Sequence, residues 1–172
     1  IRIPDNGQGE EPWIVAGYIA PATRKLTLLT EFAASRGSAV YAAKNAASYQ
    51  RYTNGRFAWQ IHVGGDAEQR RRTGDFIADT DINSRIEEFV TVARGVFTQA
   101  PWSYKGRFFE VLDGGFKGPL ANQTVPPVYL SGHSLDALQL SAKIADVHIF
   151  EAAAQARIDY LQQQAALHRR TV

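Results

Sequence analysis

The sequence contains no cysteine among its 172 residues. Disulfide bonds, thiolate metal sites and cysteine nucleophiles are therefore excluded. An excess of charge of either sign is also missing, since 19 basic residues balance 17 acidic ones, and the formal net charge of +2 argues against nucleic-acid binding. The one local excess, at 70–72, has acidic neighbours and is predicted to be a solvated loop rather than a binding patch.

Long hydrophobic runs are missing as well. No apolar run approaches the ~20 residues of a membrane span, and no signal peptide is visible. Because 45% of the residues are hydrophobic, the composition predicts one soluble globular domain with a substantial core, which we expect to be cytoplasmic and not bound to membrane. Methionine is absent too, and the chain begins at Ile1 in a strand-like segment. We therefore expect a segment of a longer protein, which an intact-mass measurement would test.

Strand-like and helix-like segments alternate along the chain. Predicted strands cover 1–4, 26–32, 56–63, 128–130 and 145–150, and predicted helices cover 12–19, 39–52, 83–97, 135–144 and 157–168. Asn54 and Gly55 suit a helix stop, Lys105-Gly106 suits a hairpin, and the long polar loop 64–80 is a candidate active-site or lid segment. The alternation indicates an α/β fold with a parallel sheet, either an open doubly wound sheet or part of a (β/α)₈ barrel, which needs about 250 residues when complete.

One stretch, Pro126–Leu138, places a short strand, a polar turn and a helix start in succession. The turn consists of Ser131, Gly132, His133 and Ser134. Free backbone N–H groups at a helix start, together with hydroxyl donors, favour a bound phosphate. An ordinary N-cap role for Ser134 explains the same residues, so both interpretations stay open.

Charged side chains at predicted strand ends are the other candidates. Glu31 lies in an apolar strand, where a carboxylate must be paired or have a raised pKa, which would suit a catalytic acid or base. A plain salt bridge with Arg36 or Arg56 fits equally well. His62 could border a substrate or be a satisfied core histidine. The acidic loop residue Asp5 is expected to face water.

The four histidines and the scattered acidic residues show no metal-ligand spacing, so no metal site is predicted. His148 alternates with apolar neighbours on a predicted strand and points to one face of the sheet. A core role and a barrel-lumen role both remain open for it.

A series of segments recurs in a specific order: EPWIVAGYIAPATRKLTLLT, AAKNAASYQRYTNGRFAW, VGGD, IEEFVTVARGVF, YKGRFFEV, PPVYLSGHS and ADVHIF. The series resembles the bacterial luciferase-like flavin monooxygenases, especially their two-component alkanesulfonate and dimethylsulfone branch. The resemblance covers nearly the whole chain. It implies a single (β/α)₈ TIM-barrel domain over 1–172, present as an incomplete segment from about the second strand to the helix after the fifth or sixth.

The resemblance also implies an activity. Such enzymes use reduced FMN and O₂, here on a small organosulfur substrate such as an alkanesulfonate or sulfone, and receive the flavin from a separate NAD(P)H:flavin reductase. A homo-oligomer is also expected. The alternatives are a catalytically degenerate flavin-binding protein and a deazaflavin-dependent oxidoreductase on the same barrel.

Family positions that contact the cofactor can be carried over residue by residue. The phosphate loop falls on Ser131, Gly132, His133 and Ser134. Contacts near the flavin ring fall on Gln60, His62 and Gly64, a phosphate-reaching Tyr falls on Asn83, and a non-prolyl cis peptide would lie around Thr30, Glu31 and Phe32. Glu31 and His62 are the catalytic candidates. Four positions depart from the family's usual Asn, Thr, Tyr and Ser, namely Gln60, Val63, Asn83 and His133. These departures motivate the catalytically degenerate alternative, and the deazaflavin-dependent enzyme is a related option.

Overall fold

The fold was obtained as a computed structural model that describes residues 1–6, 8–62, 65–152 and 155–172. The chain divides into two compact units, Ile1–Pro126 (unit 1) and Pro127–Val172 (unit 2). Unit 1 contains, in chain order, β1 (Arg2–Ile3), α1 (Pro12–Ala22), β2 (Leu28–Ala33), α2 (Ala39–Thr53), β3 (Phe57–His62), α3 (Ala67–Arg72), α4 (Ile82–Thr98), β4 (Trp102–Lys105) and β5 (Glu110–Gly114). Unit 2 contains β6 (Val128–Ser131), α5 (Leu135–Ile144), β7 (Val147–Ile149) and α6 (Gln155–Leu167).

Strands β1, β2 and β3 of unit 1 pair in parallel, as the alternation of strands and helices predicted. One face of this sheet carries Phe32 and Trp59, whose ring centroids lie 6.2 Å apart. Phe32 also packs on Trp13 of α1 at 5.4 Å and on Phe89 of α4 at 5.5 Å. Burial of these rings stabilises unit 1 by roughly 25 cal/mol per Å² of apolar surface removed from water. The opposite face, called the polar face, carries Glu31, Gln60 and His62 beside the small apolar residues Ala33 and Ala58.

Local capping explains where the helices of unit 1 begin and end. The Glu11 carboxylate accepts hydrogen bonds from the N–H groups of Trp13 (2.7 Å) and Ile14 (3.1 Å) at the start of α1. Helix α2 ends at Asn54, which has a φ of 55° in the left-handed region and is followed by Gly55 at 82°. The predicted stop at these two residues is therefore confirmed.

The segment 64–80, expected to be a polar loop, contains helix α3 instead. Asp66 and Gln69 form a reciprocal capping box, with the Gln69 N–H donating to Asp66 Oδ1 at 2.9 Å. The prediction of a solvated loop is wrong for Arg70, whose side chain is buried. Its guanidinium is tolerated there because the Asp79 carboxylate pairs with it.

The predicted hairpin around Lys105-Gly106 is confirmed as the antiparallel pair β4 and β5. Its turn is bound to helix α4 by the carboxylate of Glu88. That carboxylate accepts three backbone hydrogen bonds, from Arg107 (2.9 Å), Phe108 (2.9 Å) and Phe109 (3.2 Å).

In unit 2, β6 and β7 pair in parallel and place Leu130 beside His148. Helices α5 and α6 pack through a small apolar core made of Leu138, Ala142, Leu161 and Ala165. None of the described helices is both long and apolar enough to cross a membrane.

Candidate functional site

Three of the side chains predicted from the sequence share one face of the unit 1 sheet. Strand residues point alternately to opposite faces, and the register places Glu31 beside Gln60 and Ala33 beside His62. Glu31, Gln60 and His62 therefore lie on the face opposite Phe32. Glu31 and Gln60 are buried there, at 6% and 1% exposure.

A fourth polar group, Asp5, is added by the loop after β1. Its side chain is only 5% exposed. The Arg36 guanidinium donates to Asp5 Oδ1 at 2.9 Å, and His62 Nε2 lies 3.4 Å from Asp5 Oδ2. The expectation that Asp5 faces water was therefore wrong, because its partners compensate for desolvation of the carboxylate. The available signal was its position just after a parallel strand, where α/β sheets bind ligands.

Glu31 is paired, but with neither of the partners considered from the sequence. Its carboxylate forms an ion pair with Arg2 and accepts a hydrogen bond from the Asp5 N–H at 3.0 Å. Arg36 is engaged by Asp5. Arg56 donates to backbone carbonyls instead, the shortest of these bonds being 2.6 Å. The salt bridges proposed with Arg36 and Arg56 are therefore wrong, and the catalytic role of Glu31 stays a prediction.

Three buried polar atoms of β2 and β3, namely Thr30 Oγ1, Trp59 Nε1 and Gln60 Oε1, have no hydrogen-bond partner among the described residues. Thr30 alternates with Glu31, so its hydroxyl lies on the helix-covered face with Phe32 and not beside Gln60. An unpaired buried carbonyl costs free energy. Gln60 is consequently the side chain on the polar face that has an acceptor available for a ligand N–H.

The peptide bonds of Thr30, Glu31 and Phe32 are trans. The cis peptide bond in the described part of the chain joins Ala100 and Pro101 instead. The expected non-prolyl cis peptide is thus not found here, where β2 keeps a regular parallel ladder with β3.

The Ser131–Ser134 loop of unit 2 joins β6 to α5. Ser134 is the N-cap of α5, and its Oγ accepts the Ala137 N–H at 3.1 Å. Gly132 has a φ of 137°, which other residues rarely adopt, and a Cβ there would lie 2.9 Å from Ala137 Cβ. Glycine therefore lets the loop approach the first turn of α5, where the initial N–H groups have no helical acceptor. Both interpretations of the loop are compatible with this geometry.

His133 lies between two charged side chains that the sequence reasoning missed. Its Nε2 is 3.4 Å from a Glu151 carboxylate oxygen, and its Nδ1 is 3.4 Å from Arg157 Nη1. All three side chains are exposed. An anion at this loop would meet the guanidinium of Arg157 and would compete with Glu151 for the imidazole.

The remaining predicted positions lie elsewhere. Asn83 is half-buried in the first turn of α4. Gly64 falls outside the described residues. The described residues contain no cluster of three or more His, Asp or Glu side chains that could hold a metal ion.

Sequence comparison assigns the chain to a class. The sequence model of the luciferase-like monooxygenases matches residues 2–172. The chain therefore belongs to the luciferase-like monooxygenase family.

Solved structures give the same result for the fold. The EDTA monooxygenase EmoA from Chelativorans sp. BNC1 superposes with a TM-score of 0.83 at 18% identity, over 99% of this chain and 48% of its own. An F420-dependent secondary alcohol dehydrogenase gives 0.82 at 23% identity, over 97% and 52%. The oxygenating constituent of 3,6-diketocamphane monooxygenase from Pseudomonas putida, solved with FMN, gives 0.79 at 13% identity, over 100% and 53%.

These likenesses confirm the α/β fold of the luciferase-like barrel type. The chain spans about half the length of each of the solved structures named above. Assignment to the alkanesulfonate and dimethylsulfone branch stays a prediction.

Proposed function

We propose that this chain is part of a two-component flavin-dependent monooxygenase that uses reduced FMN and O₂ on a small organosulfur substrate. The observation that carries the proposal is the family match across residues 2–172. When bound, reduced flavin would supply the electrons that activate O₂, a task that amino-acid side chains do not perform. The protein's own residues would bind, orient and shield it.

The Ser131–Ser134 loop is proposed to hold the flavin phosphate. The residues present fit such a group, because the left-handed Gly132 brings the backbone against the start of α5, a ten-residue helix. The guanidinium of Arg157 lies beside the same loop, because its Nη1 is 3.4 Å from His133 Nδ1. Asp136 in the first turn of α5 opposes an anion, so the Arg157 guanidinium would be needed to balance it.

The polar face of unit 1 is proposed to contact the flavin ring. Gln60 supports this role because its buried Oε1 accepts no hydrogen bond from the described residues. It could therefore accept one from an N–H group of the flavin ring. His62 is proposed to hold or move a proton at its Nε2, oriented by Asp5 at 3.4 Å. Glu31, bound by Arg2, would hold this arrangement in place. Thr30, Gly64 and Asn83 stay in the proposed cofactor set on the resemblance alone.

Partner proteins are proposed on the same basis. Reduced flavin would come from an NAD(P)H:flavin reductase. A homo-oligomer is supported by α1, which has no charged residue yet leaves Ile14 and Tyr18 61% and 80% exposed. Exposed apolar side chains one helical turn apart on an uncharged helix are consistent with a protein interface. Sedimentation equilibrium on the parent and on Tyr18→Glu would test this, and a monomeric parent would contradict it.

A second candidate function is a deazaflavin-dependent oxidoreductase. It is favoured by the F420-dependent dehydrogenase that matches 97% of the chain and by the departures at Gln60, Asn83 and His133 from the usual FMN residues.

Anaerobic titration separates these candidates. We expect reduced FMN to bind below millimolar concentration, and subsequent addition of O₂ with an alkanesulfonate to give substrate-dependent O₂ consumption. Tighter binding of F420 than of FMN would favour the deazaflavin function. FMN binding without substrate-dependent O₂ use would indicate a catalytically degenerate flavin-binding protein, and no binding of either cofactor would reject all three.

A further inference from the structure

The side chain of His148 connects the Ser131–Ser134 loop to helix α5. Its Nδ1 lies 2.7 Å from Ser141 Oγ, and its Nε2 lies 3.1 Å from the Gly132 carbonyl oxygen. Ser141 is fully buried, and the imidazole packs against Phe150 at a centroid distance of 4.5 Å. His148 therefore lies on the helix-covered side of the β6–β7 pair and not on the face that bears Ser131.

These two contacts define the protonation state of the ring. A carbonyl oxygen can only accept, so Nε2 carries the proton that is donated to Gly132. Nδ1 then accepts the Ser141 hydroxyl proton. Burial lowers the pKa of His148, and the hydrogen bond to Gly132 only partly opposes this effect. The ring is therefore neutral at physiological pH.

The hydrogen bond from His148 to Gly132 fixes the orientation of the whole Gly132–His133 peptide group. The Gly132 carbonyl and the His133 N–H belong to the same planar peptide and point in opposite directions. By holding the carbonyl toward its own imidazole on the helix-covered side, His148 turns the His133 N–H away from that side. The left-handed φ of Gly132 permits this orientation without a clash.

We propose that His148, itself oriented by Ser141, is a positioning residue that presets the Ser131–Ser134 loop to receive the phosphate group of its ligand. The inference rests on the proposed function, in which this loop holds the flavin phosphate. A residue with a packing role alone would need only an apolar ring at this place, and the two hydrogen bonds are the additional feature.

The test compares variants of the full 172-residue chain. His148→Phe keeps an aromatic ring beside Phe150 but removes both hydrogen bonds, whereas His148→Gln retains an amide donor and acceptor. His168→Phe is the matched control, since His168 is an exposed histidine of the same unit. Ser141→Ala leaves the imidazole in place without its donor, and it serves as the second variant if His148→Phe does not fold.

Three readouts are needed. Imidazole ¹⁵N spectra should show His148 as the Nε2–H tautomer, and amide hydrogen exchange should report the order of residues 132–134. The third readout is the ratio of anaerobic affinities for reduced FMN and reduced riboflavin, which share the ring but differ in the phosphate.

We expect His148→Phe to accelerate exchange in the loop and to lower the FMN-to-riboflavin ratio by about threefold to tenfold, the scale of one lost hydrogen bond. His148→Gln should restore most of the ratio, and His168→Phe should leave it unchanged. A parent protein that binds riboflavin as tightly as FMN overturns the phosphate role of the loop and the proposed function with it. A parent that prefers FMN, with the same preference in His148→Phe and Ser141→Ala, overturns only the positioning role.

Discussion

Asp75 and Arg85 form a two-pronged ion pair, with oxygen–nitrogen distances of 2.8 and 2.6 Å. Both side chains are nearly buried, at 7% and 12% exposure. The pair fastens the chain after α3 to helix α4. A bidentate ion pair of this kind is among the strongest interactions that a guanidinium makes with a carboxylate.

Replacing Asp75 by Asn should lower the free energy of unfolding at pH 7 by about 3 kcal/mol, because it leaves the Arg85 guanidinium buried without its charge partner. Urea denaturation measures this. Glu68→Gln is the control, since both side chains of the Glu68–Arg72 ion pair are exposed. That pair should contribute less than about 1 kcal/mol to the free energy of unfolding. Equal effects of the two substitutions would contradict the prediction.

The same pair predicts an acid-sensitive part of stability. The hydrogen bond from Arg85 holds the pKa of Asp75 below its ordinary value of 3.8. A carboxyl group whose folded pKa is depressed contributes stability that is complete above the unfolded pKa and is lost as the pH falls through the folded pKa. As the pH falls from 6 to below about 4, the difference in the free energy of unfolding between the parent and Asp75→Asn should therefore shrink. A constant difference across that range would exclude this linkage.

Gly132→Ala should destabilise the chain by more than Gly37→Ala. The two glycines have nearly the same φ, 137° and 134°, but a Cβ at Gly37 would meet nothing within 4 Å, whereas at Gly132 it would lie 2.9 Å from Ala137 Cβ. Backbone strain of about 1–3 kcal/mol applies to both, and the steric contact applies only to Gly132. Thermal unfolding of the two variants isolates this contact, and equal melting temperatures would show that the loop relaxes freely.

Gln60 and Gln50 form a matched pair of buried amides. Gln50 uses both ends, donating to Thr124 O at 2.9 Å and accepting from Phe57 N at 3.2 Å, whereas Gln60 Oε1 has no partner among the described residues. Gln50→Leu should cost about 2–3 kcal/mol of unfolding free energy, because it leaves buried groups unpaired. Gln60→Leu should stay within about 1 kcal/mol of the parent and reduce reduced-FMN affinity at least severalfold. Stability loss from Gln60→Leu without a change in affinity would assign Gln60 to the core.

Ser134 and Ser38 are both N-cap residues, with Oγ accepting the N–H of Ala137 at 3.1 Å and of Tyr41 at 3.4 Å. Substitution of either by Ala should cost about 1 kcal/mol of stability. Under the proposed function, only Ser134→Ala should also weaken reduced-FMN binding, by at least the ~1 kcal/mol of one hydrogen bond. Equal FMN affinities in the two variants, measured by anaerobic titration, would remove Ser134 from the phosphate site.

The sequence by itself determined the local elements and the family. The Asn54-Gly55 helix stop, the hairpin at Lys105-Gly106 and the Ser134 cap could be predicted because each depends on residues within a few positions. The alternation of strands and helices indicated a parallel sheet because a helical crossover returns the chain to the same edge, so that the next strand runs in the same direction. The ordered motifs resembled the family that the match over residues 2–172 then showed.

Only the tertiary structure decided the partners of the buried charges. Glu31 pairs with Arg2, which lies 29 positions away, and Asp5 is buried because Arg36 and His62 reach it across the end of the sheet. Strand register also decided which side chains of neighbouring strands share a face, placing Glu31 beside Gln60 and Ala33 beside His62. No local pattern carries this information, since a carboxylate can remain buried only where the folded chain brings a cation or a donor to it.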